Sequence, residues 1–319
     1  MDDMPDLAGD LTIYLGGGEG GEYRTLIDLV RRKYPDFDAK VRTDSSASLA
    51  NTIIGEAKNG QSRADVFLSV DAGSLGAVAG AGATSALPET VLDMVPATFR
   101  DDADQWVGLA GRARAIPYDS DRLSKSDLPT HIDAFTDASG LTGALGWAPS
   151  YGAFQSFVTA MRLLEGEAKT KAWLRGMLDQ NVSEYRDEFF VANAVADGEL
   201  AAGFANHYYA LRVRSSRPNA PIELAFTQND AGALVNVSGA EVIDTTASPD
   251  LAANFVHHLL SAEAQEFFAT VTFGYPMVEG VAPVAGLPTI EELNPPSLDL
   301  TKLADVQPTL DLMREVGVL

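Results

Sequence analysis

The chain of 319 residues contains no cysteine, which excludes disulfides, zinc–thiolate sites, iron–sulfur clusters and cysteine nucleophiles. Only four histidines are present, so a site built from several histidines is not expected. No apolar run approaches the roughly 18–20 residues of a membrane-spanning helix. Any metal bound by this chain would therefore be held by oxygen ligands.

Basic residues are also scarce. The chain has 23 basic and 45 acidic side chains, a formal net charge of −22, and only seven of the basic residues are lysines. This charge opposes binding to nucleic acid and to anionic membranes, because their phosphates would be repelled. The scattered acidic residues favour a halophile-type surface, and the charge then reports habitat more than ligand.

Apolar residues make up 46% of the sequence, enough to bury a large core. The first third alternates strands with helices, which is typical of βαβ units and a parallel sheet. The predicted elements there are strands at Leu11–Leu15, Ala39–Thr43 and Ala64–Ser69 and helices at Glu22–Lys33, Leu49–Ala57 and Gly73–Val78.

The later part of the chain continues this α/β pattern. Strands are predicted at Gly143–Trp147, Ala201–Ala205 and Val242–Thr245. Helices are predicted at Gly152–Leu164, Ala168–Asp179, Glu188–Asp197, Thr309–Glu315 and, as one long helix, Leu251–Val271. Two α/β lobes joined by chain crossings fit this order best.

A glycine-rich loop, Gly16–Gly21, follows the first strand and satisfies G-x-G-x-x-G, the dinucleotide-binding pattern. Glu19 lies within the loop, where its carboxylate would repel a pyrophosphate. A loop that presents Glu19 to a cleft is favoured over nucleotide binding, and a plain turn is the simplest interpretation.

Three tyrosines are the most informative residues. Tyr208 and Tyr209 are adjacent and follow an apolar strand, so both phenols reach one ion only if the chain turns into a helix there. Two half-buried aromatic rings remain the simpler interpretation of the pair alone. Tyr151 lies just before a predicted helix, whose N-terminus offers backbone N–H groups to an anion.

Phenols with so few histidines and no thiols form a coherent ligand set. A phenol has a pKa of about 10 and is neutral in ordinary surroundings. A strongly Lewis-acidic trivalent ion would displace that proton and bind the hard phenolate oxygen. A divalent ion would gain much less.

Motifs of hydrolytic catalysis are missing, because the chain has neither G-x-S-x-G nor H-E-x-x-H. The adjacent His257 and His258 lie on a predicted amphipathic helix and are expected to be half-exposed surface residues. The sequence therefore predicts no enzyme.

Taken together, these segments resemble the solute-binding proteins of iron(III) ABC importers, the bacterial ferric-binding, transferrin-like family. The resemblance runs from Leu11 to Leu319. The stretches that carry it are LTIY (Leu11–Tyr14), ADVFLSVDAGSLGAV (Ala64–Val78), GRARAIPYDSDRL (Gly111–Leu123), PSYGAFQSFVTAMR (Pro149–Arg162), NHYYALR (Asn206–Arg212), DAGALVNVSGAEV (Asp230–Val242) and LLSAEAQEFFA (Leu259–Ala269).

This resemblance implies a two-lobed α/β fold of the periplasmic-binding-protein type II class, with a hinge of crossing strands and ligand in the cleft between the lobes. The lobes would comprise residues 10–112 plus 241–285 and residues 113–240 plus 286–319. Residues 1–9 would form an acidic tail.

The resemblance also implies a ligand set for Fe(III). Tyr208 and Tyr209 match the iron-binding tyrosine pair, and Tyr151 matches a third phenolate of some members. Gly152, Ala153 and Asn206 match positions that hold a synergistic anion such as carbonate or phosphate, and Arg112 is a charge partner for it.

The N-terminal ligands depart from the family pattern. Relatives place a histidine where this chain has Gly18, some place a tyrosine where it has Glu19, and others use a glutamate where it has Val70, with Asp71 as the nearest carboxylate. Glu19 is proposed as a fourth metal ligand. The same fold binding a polyamine, thiamine, a phosphonate or another anion remains an alternative, and a nucleotide-dependent enzyme using Gly16–Gly21 is a third.

The resemblance finally implies a location and partners. We expect a monomeric extracytoplasmic receptor, in the periplasm or on the cell surface, that delivers its ligand to the transmembrane subunits of an ABC permease. It would contact no nucleic acid, and the membrane only through a lipid anchor that, like the leader peptide, is missing from this chain.

Overall fold

The computed structural model describes residues 4–17, 20–284 and 286–319. Its strands are β1 (Gly9–Gly16), β2 (Phe37–Asp44), β3 (Val66–Ser69), β4 (Thr84–Ser85), β5 (Trp106–Asp119), β6 (Leu145–Trp147), β7 (Ser183–Glu184), β8 (Ala202–Gly203), β9 (Ala205–Asn206), β10 (Ile222–Ala225), β11 (Val235–Ile243) and β12 (Tyr275–Pro276). Its α-helices are α1 (Gly20–Lys33), α2 (Ser46–Ala57), α3 (Ala72–Gly80), α4 (Glu89–Leu92), α5 (Gly152–Glu165), α6 (Glu167–Asp179), α7 (Glu188–Ala196), α8 (His207–Ser216), α9 (Pro249–Leu259), α10 (Ala262–Phe267), α11 (Ile290–Leu293) and α12 (Gln307–Val316).

The chain divides into two compact units. The first unit comprises Met1–Gly111, Asn236–Leu287 and Asp299–Ala304, and the second comprises Arg112–Val235, Pro288–Leu298 and Asp305–Leu319. Strands β5 and β11 each contain one of these boundaries, so the chain changes unit within a strand at both places. The lobe boundaries drawn from the sequence stay a prediction.

The first unit is built on a mixed sheet. Strand β1 pairs in parallel with β2 and with β3, and β3 pairs antiparallel with β11. Helices α1 and α2 connect the parallel strands, as the alternating sequence predicts. The apolar residues Leu11, Ile13, Val66 and Phe67 are almost completely buried, so the sheet forms the centre of this unit's core.

The second unit combines a sheet with a core of aromatic rings. Strand β6 pairs in parallel with β7 and β8, and β5 pairs antiparallel with β8, β9 and β10. Edge-to-face contacts with ring centroids 5.5–5.7 Å apart link Trp173 to Phe157 and to Phe204. This rigid core supports the strand ends from which α5 and α8 begin.

Three predicted elements differ from the structure. The strand predicted at Val242–Thr245 is β11, which begins seven residues earlier, at Val235. The apolar pattern does not predict this start because it is interrupted by Asn236 and Ser238, although both side chains are buried. The long helix predicted at Leu251–Val271 is interrupted at Ser261, whose hydroxyl caps α10. The strand predicted at Ala201–Ala205 consists of the short strands β8 and β9.

The interpretation of His258 as a half-exposed residue was wrong. His258 is buried, and its Nε2 lies 2.6 Å from the carbonyl oxygen of Pro5 in the N-terminal segment. Its ring packs edge-on against Tyr34. Helical periodicity gave no sign that residues more than two hundred positions away would cover this face. No helix of the described residues is long and apolar enough to cross a membrane.

Glu241 on β11 has a buried carboxyl group. It is fully buried, and neither of its oxygens has a hydrogen-bond partner among the residues that the structure describes. Burial raises the pKa of Glu241 well above its ordinary value, and Asp101 raises it further. The group therefore folds in its neutral form, at a cost that grows with pH above its unfolded pKa.

We expect Glu241→Gln to stabilise the protein near neutral pH. A raised folded pKa gives stability that is complete below the unfolded pKa and is lost as pH rises towards the folded value. Between an unfolded pKa near 4.5 and pH 7, the loss reaches up to about 3 kcal/mol. Thermal unfolding at pH 5 and 7 checks this, with the exposed Glu266→Gln as the control. Equal shifts in melting temperature for both variants would contradict it.

Candidate functional site

Helix α8 begins at the tyrosine pair. Asn206 is its N-cap in extended backbone conformation, and His207, Tyr208 and Tyr209 form its first turn. The chain thus turns into a helix at the position that the sequence argument requires. The rings of Tyr208 and Tyr209 lie on the same side, with their centroids 4.4 Å apart. Both side chains are buried, Tyr208 with 2% and Tyr209 with 8% of its surface exposed.

Tyr151 joins this pair from another part of the chain. It is the N-cap of α5, where the chain leaves β6, and its hydroxyl lies 2.6 Å from the hydroxyl of Tyr209. The two rings meet edge to face with centroids 6.4 Å apart. Tyr151, Tyr208 and Tyr209 therefore form one group in the second unit, here called the phenol cluster.

Tyr209 keeps its proton in the absence of a ligand. Burial raises the pKa of Tyr209 far above its ordinary value, and the neighbouring Tyr208 and Tyr151 raise it further. Only a cation that binds phenolate oxygen strongly can displace this proton near neutral pH. The guanidinium carbon of Arg212 lies 5.0 Å from the ring centroid of Tyr208, where it favours electron-rich rings.

The four predicted anion-binding residues all belong to the second unit. Gly152 and Ala153 form the first turn of α5, and no side chain caps that helix N-terminus among the described residues. Asn206 donates a hydrogen bond from Nδ2 to the Tyr208 hydroxyl over 3.2 Å. Arg112 is half-buried on β5, two residues before Arg114, which pairs with Asn206. Their role towards an anion stays a prediction.

In the first unit, Glu19 and Gly18 lie outside the described residues, so the predicted fourth ligand is not placed. Gly16 ends β1 and packs so closely on Ser46 that a Cβ atom would collide with the serine hydroxyl. Close packing therefore explains the glycine at this position without a bound nucleotide. Val70 is half-buried beside Asp71.

Asp71 is occupied as a helix cap. Its Oδ1 accepts a hydrogen bond from the Ser74 amide at 2.7 Å, and its Oδ2 accepts one from the Ser74 hydroxyl at 3.0 Å. We expect Asp71→Ala to lower the free energy of unfolding by about 1 kcal/mol, because the first turn of α3 loses its cap. Thermal unfolding measures this, with Asp71→Asn as the control that keeps a capping oxygen. An unchanged melting temperature in Asp71→Ala would contradict the capping role.

Three residues beside the cluster escaped the sequence interpretation. Arg212 follows Tyr208 by four positions, a helical spacing that would have placed it over the ring. Glu188 and Arg114 form a buried ion pair next to Asn206, and no local pattern joins residues 74 positions apart. Among the described residues, no group of three histidine, cysteine, aspartate or glutamate side chains is arranged to hold a metal.

The chain is similar to known proteins in both sequence and structure. A sequence profile described as "Bacterial extracellular solute-binding protein" matches residues 61–299. The "Major ferric iron-binding protein" of Neisseria meningitidis serogroup B is 29% identical over 98% of this chain and 94% of its own length.

Two solved structures are similar over 97% of this chain and 99% of their own chains. Iron-bound HitA from Pseudomonas aeruginosa is 28% identical with a TM-score of 0.86. The Trichodesmium protein IdiA (FutA), in complex with iron and citrate, is 26% identical with a TM-score of 0.82. These likenesses confirm the predicted α/β fold of the periplasmic-binding-protein type II class.

Proposed function

Because the chain belongs to the bacterial extracellular solute-binding proteins, we propose that it is a receptor for ferric ion. The phenolates of Tyr151, Tyr208 and Tyr209 bind the ion. The receptor lies outside the cytoplasm and delivers the ion to the transmembrane subunits of an ABC permease. The role is binding and delivery, without catalysis.

The observation that carries this proposal is the phenol cluster. Three hydroxyl-bearing rings come from two separate helix starts, those of Tyr208 and Tyr209 buried and that of Tyr151 half-buried, and two of the oxygens lie 2.6 Å apart. The hydroxyls of Tyr151 and Tyr209 share a hydrogen bond, in which one phenol donates to the other. Replacing the phenol protons by one trivalent cation brings the oxygens together on a shared ion and supplies the hard ligands that ferric ion prefers.

The relatives support the choice of ion. The similar Neisseria meningitidis protein is named for binding ferric iron, and the similar Pseudomonas aeruginosa and Trichodesmium structures contain iron. The similarity to each of these three proteins covers at least 97% of this chain.

An anion is proposed to complete the ligand set. The uncapped N-terminus of α5 at Gly152 and Ala153 offers backbone N–H groups beside Tyr151, and such a helix end attracts negative charge. Asn206 and the guanidinium of Arg112 would add donors. Carbonate or phosphate fits this set of donors, and Glu19 remains the proposed fourth protein ligand.

Titration of iron-free protein with ferric citrate tests the proposal. Phenolate bound to ferric ion gives a visible charge-transfer band, so absorbance should rise and saturate at one ion per chain. Native mass spectrometry of the product then counts the metal and any bound anion. Protein that develops no band and carries no iron under these conditions would refute the receptor role for ferric ion.

A further inference from the structure

Asn206 does not act as the helix cap that its position suggests. Asparagine at an N-cap usually accepts a hydrogen bond from an amide of the first turn. Here the side chain makes no capping bond. Its two ends are instead directed at Arg114 and at Tyr208.

The orientation of the Asn206 amide follows from its partners. Arg114 Nη1 donates to Asn206 Oδ1 over 3.3 Å, and arginine has no acceptor, so the oxygen end must face Arg114. The nitrogen end is then left to face Tyr208, where Nδ2 donates to the hydroxyl oxygen over 3.2 Å. Tyr208 thus receives a hydrogen bond on the atom that would bind the ion.

Glu188 fixes both neighbours of this amide. One of its oxygens accepts from Arg114 Nη1, and Oε2 accepts from the backbone N–H of Asn206 at 2.8 Å. Glu188 has no exposed surface, and the Arg114 guanidinium packs over the Phe157 ring at 5.1 Å. The pair is thereby held by packing as well as by charge.

Stability alone does not account for this ion pair. Burying two charges costs about as much as their attraction returns, so such pairs contribute little net stability. A buried pair does, however, impose a single geometry on the polar groups that it contacts, and here those groups lead to Tyr208.

We propose that Arg114 and Glu188 are positioning residues that aim the Asn206 amide N–H at the Tyr208 oxygen, so that a ferric-bound Tyr208 phenolate keeps one hydrogen-bond donor. The inference rests on the proposed function. Such a donor withdraws electron density from the phenolate and holds its oxygen in the direction of the ion.

Spectroscopy separates this role from a structural one. In Asn206→Ala the phenolate loses its donor, so the charge-transfer band should move to longer wavelength and ferric affinity should fall about tenfold. Glu188→Gln should shift the band in the same direction, and the double variant should match Asn206→Ala alone. Asn193→Ala is the control on α7, the helix of Glu188, because the Asn193 side chain accepts a hydrogen bond from Arg217 and donates one to the Phe189 carbonyl.

The outcomes are distinct. A band at the wild-type position in Asn206→Ala or Glu188→Gln, with only the melting temperature lowered as in Asn193→Ala, would overturn the positioning role. Additive shifts in the double variant would show that Glu188 does not act through Asn206 and would also overturn it. Absence of a band in the wild-type protein would instead refute the proposed function.

The iron-free wild-type protein gives a second measurement that needs no variant to fold. With ¹⁵N-labelled asparagine, the Asn206 side-chain amide should show slow hydrogen exchange, because both ends of the amide are engaged. Exchange as fast as that of an exposed asparagine would contradict the fixed orientation.

Discussion

Replacing Tyr209 by phenylalanine should weaken ferric binding by at least about a hundredfold, since the loss of a direct ligand exceeds that of an outer partner. Tyr209 is central to the phenol cluster, because its hydroxyl contacts Tyr151 and its ring packs against Tyr208. Phenylalanine keeps the ring and its packing, so the effect isolates the oxygen. Competition against a chelator of known affinity measures the change.

Tyr118→Phe is the matched control for this variant. Tyr118 is another buried phenol of the second unit. Burial raises its pKa, and the charge of Glu223 raises it further. It lies on β5 and makes none of the ring or hydroxyl contacts of the cluster. We expect the ferric affinity of Tyr118→Phe to equal that of the wild-type protein. Equal losses of ferric affinity in Tyr209→Phe and Tyr118→Phe would mean that removing a buried hydroxyl weakens binding by disturbing the fold, and not by removing a ligand.

Ferric affinity should rise steeply with pH. In the proposed site the phenols bind the ion as phenolates. Burial and the neighbouring tyrosines raise the pKa of Tyr209, so its proton is present until an ion displaces it. Each proton released on binding changes the affinity about tenfold per pH unit. Lowering the pH therefore weakens binding, and three phenols give up to about a thousandfold per unit.

Calorimetry counts these protons. Titration with ferric nitrilotriacetate in two buffers of different ionisation enthalpy gives the number released, and the chelator's own contribution cancels between variants. Tyr151→Phe should release one proton fewer than the wild type. Identical proton counts for two proteins that both bind the ion would exclude Tyr151 as a phenolate ligand.

The sequence could predict the phenol cluster because its geometry is local at each end. Helical spacing after Asn206 places two adjacent tyrosines on one turn, and Tyr151 precedes an amphipathic helix. The remaining step, bringing Tyr151 to Tyr209, depends on contacts between segments 58 residues apart. The lack of thiols and the few histidines suggested that the three phenols act together, and the resemblance to a known family gave the same set.

Features that depend on distant partners were not predictable. The Arg114–Glu188 pair joins a strand to a helix 74 positions later, and its two charges resemble solvated side chains in the sequence. His258 is buried by the N-terminal segment. Strand β11 extends through buried polar residues whose sequence is typical of a loop. In each case tertiary burial overrides the local pattern.

Resonance Raman spectroscopy of the iron-loaded protein, excited within its visible band, tests most directly whether phenolates hold the ion. We expect enhanced tyrosine ring vibrations that shift when the protein is made with ring-deuterated tyrosine and that weaken in Tyr209→Phe. Iron-loaded protein whose enhanced vibrations are insensitive to tyrosine deuteration would contradict it.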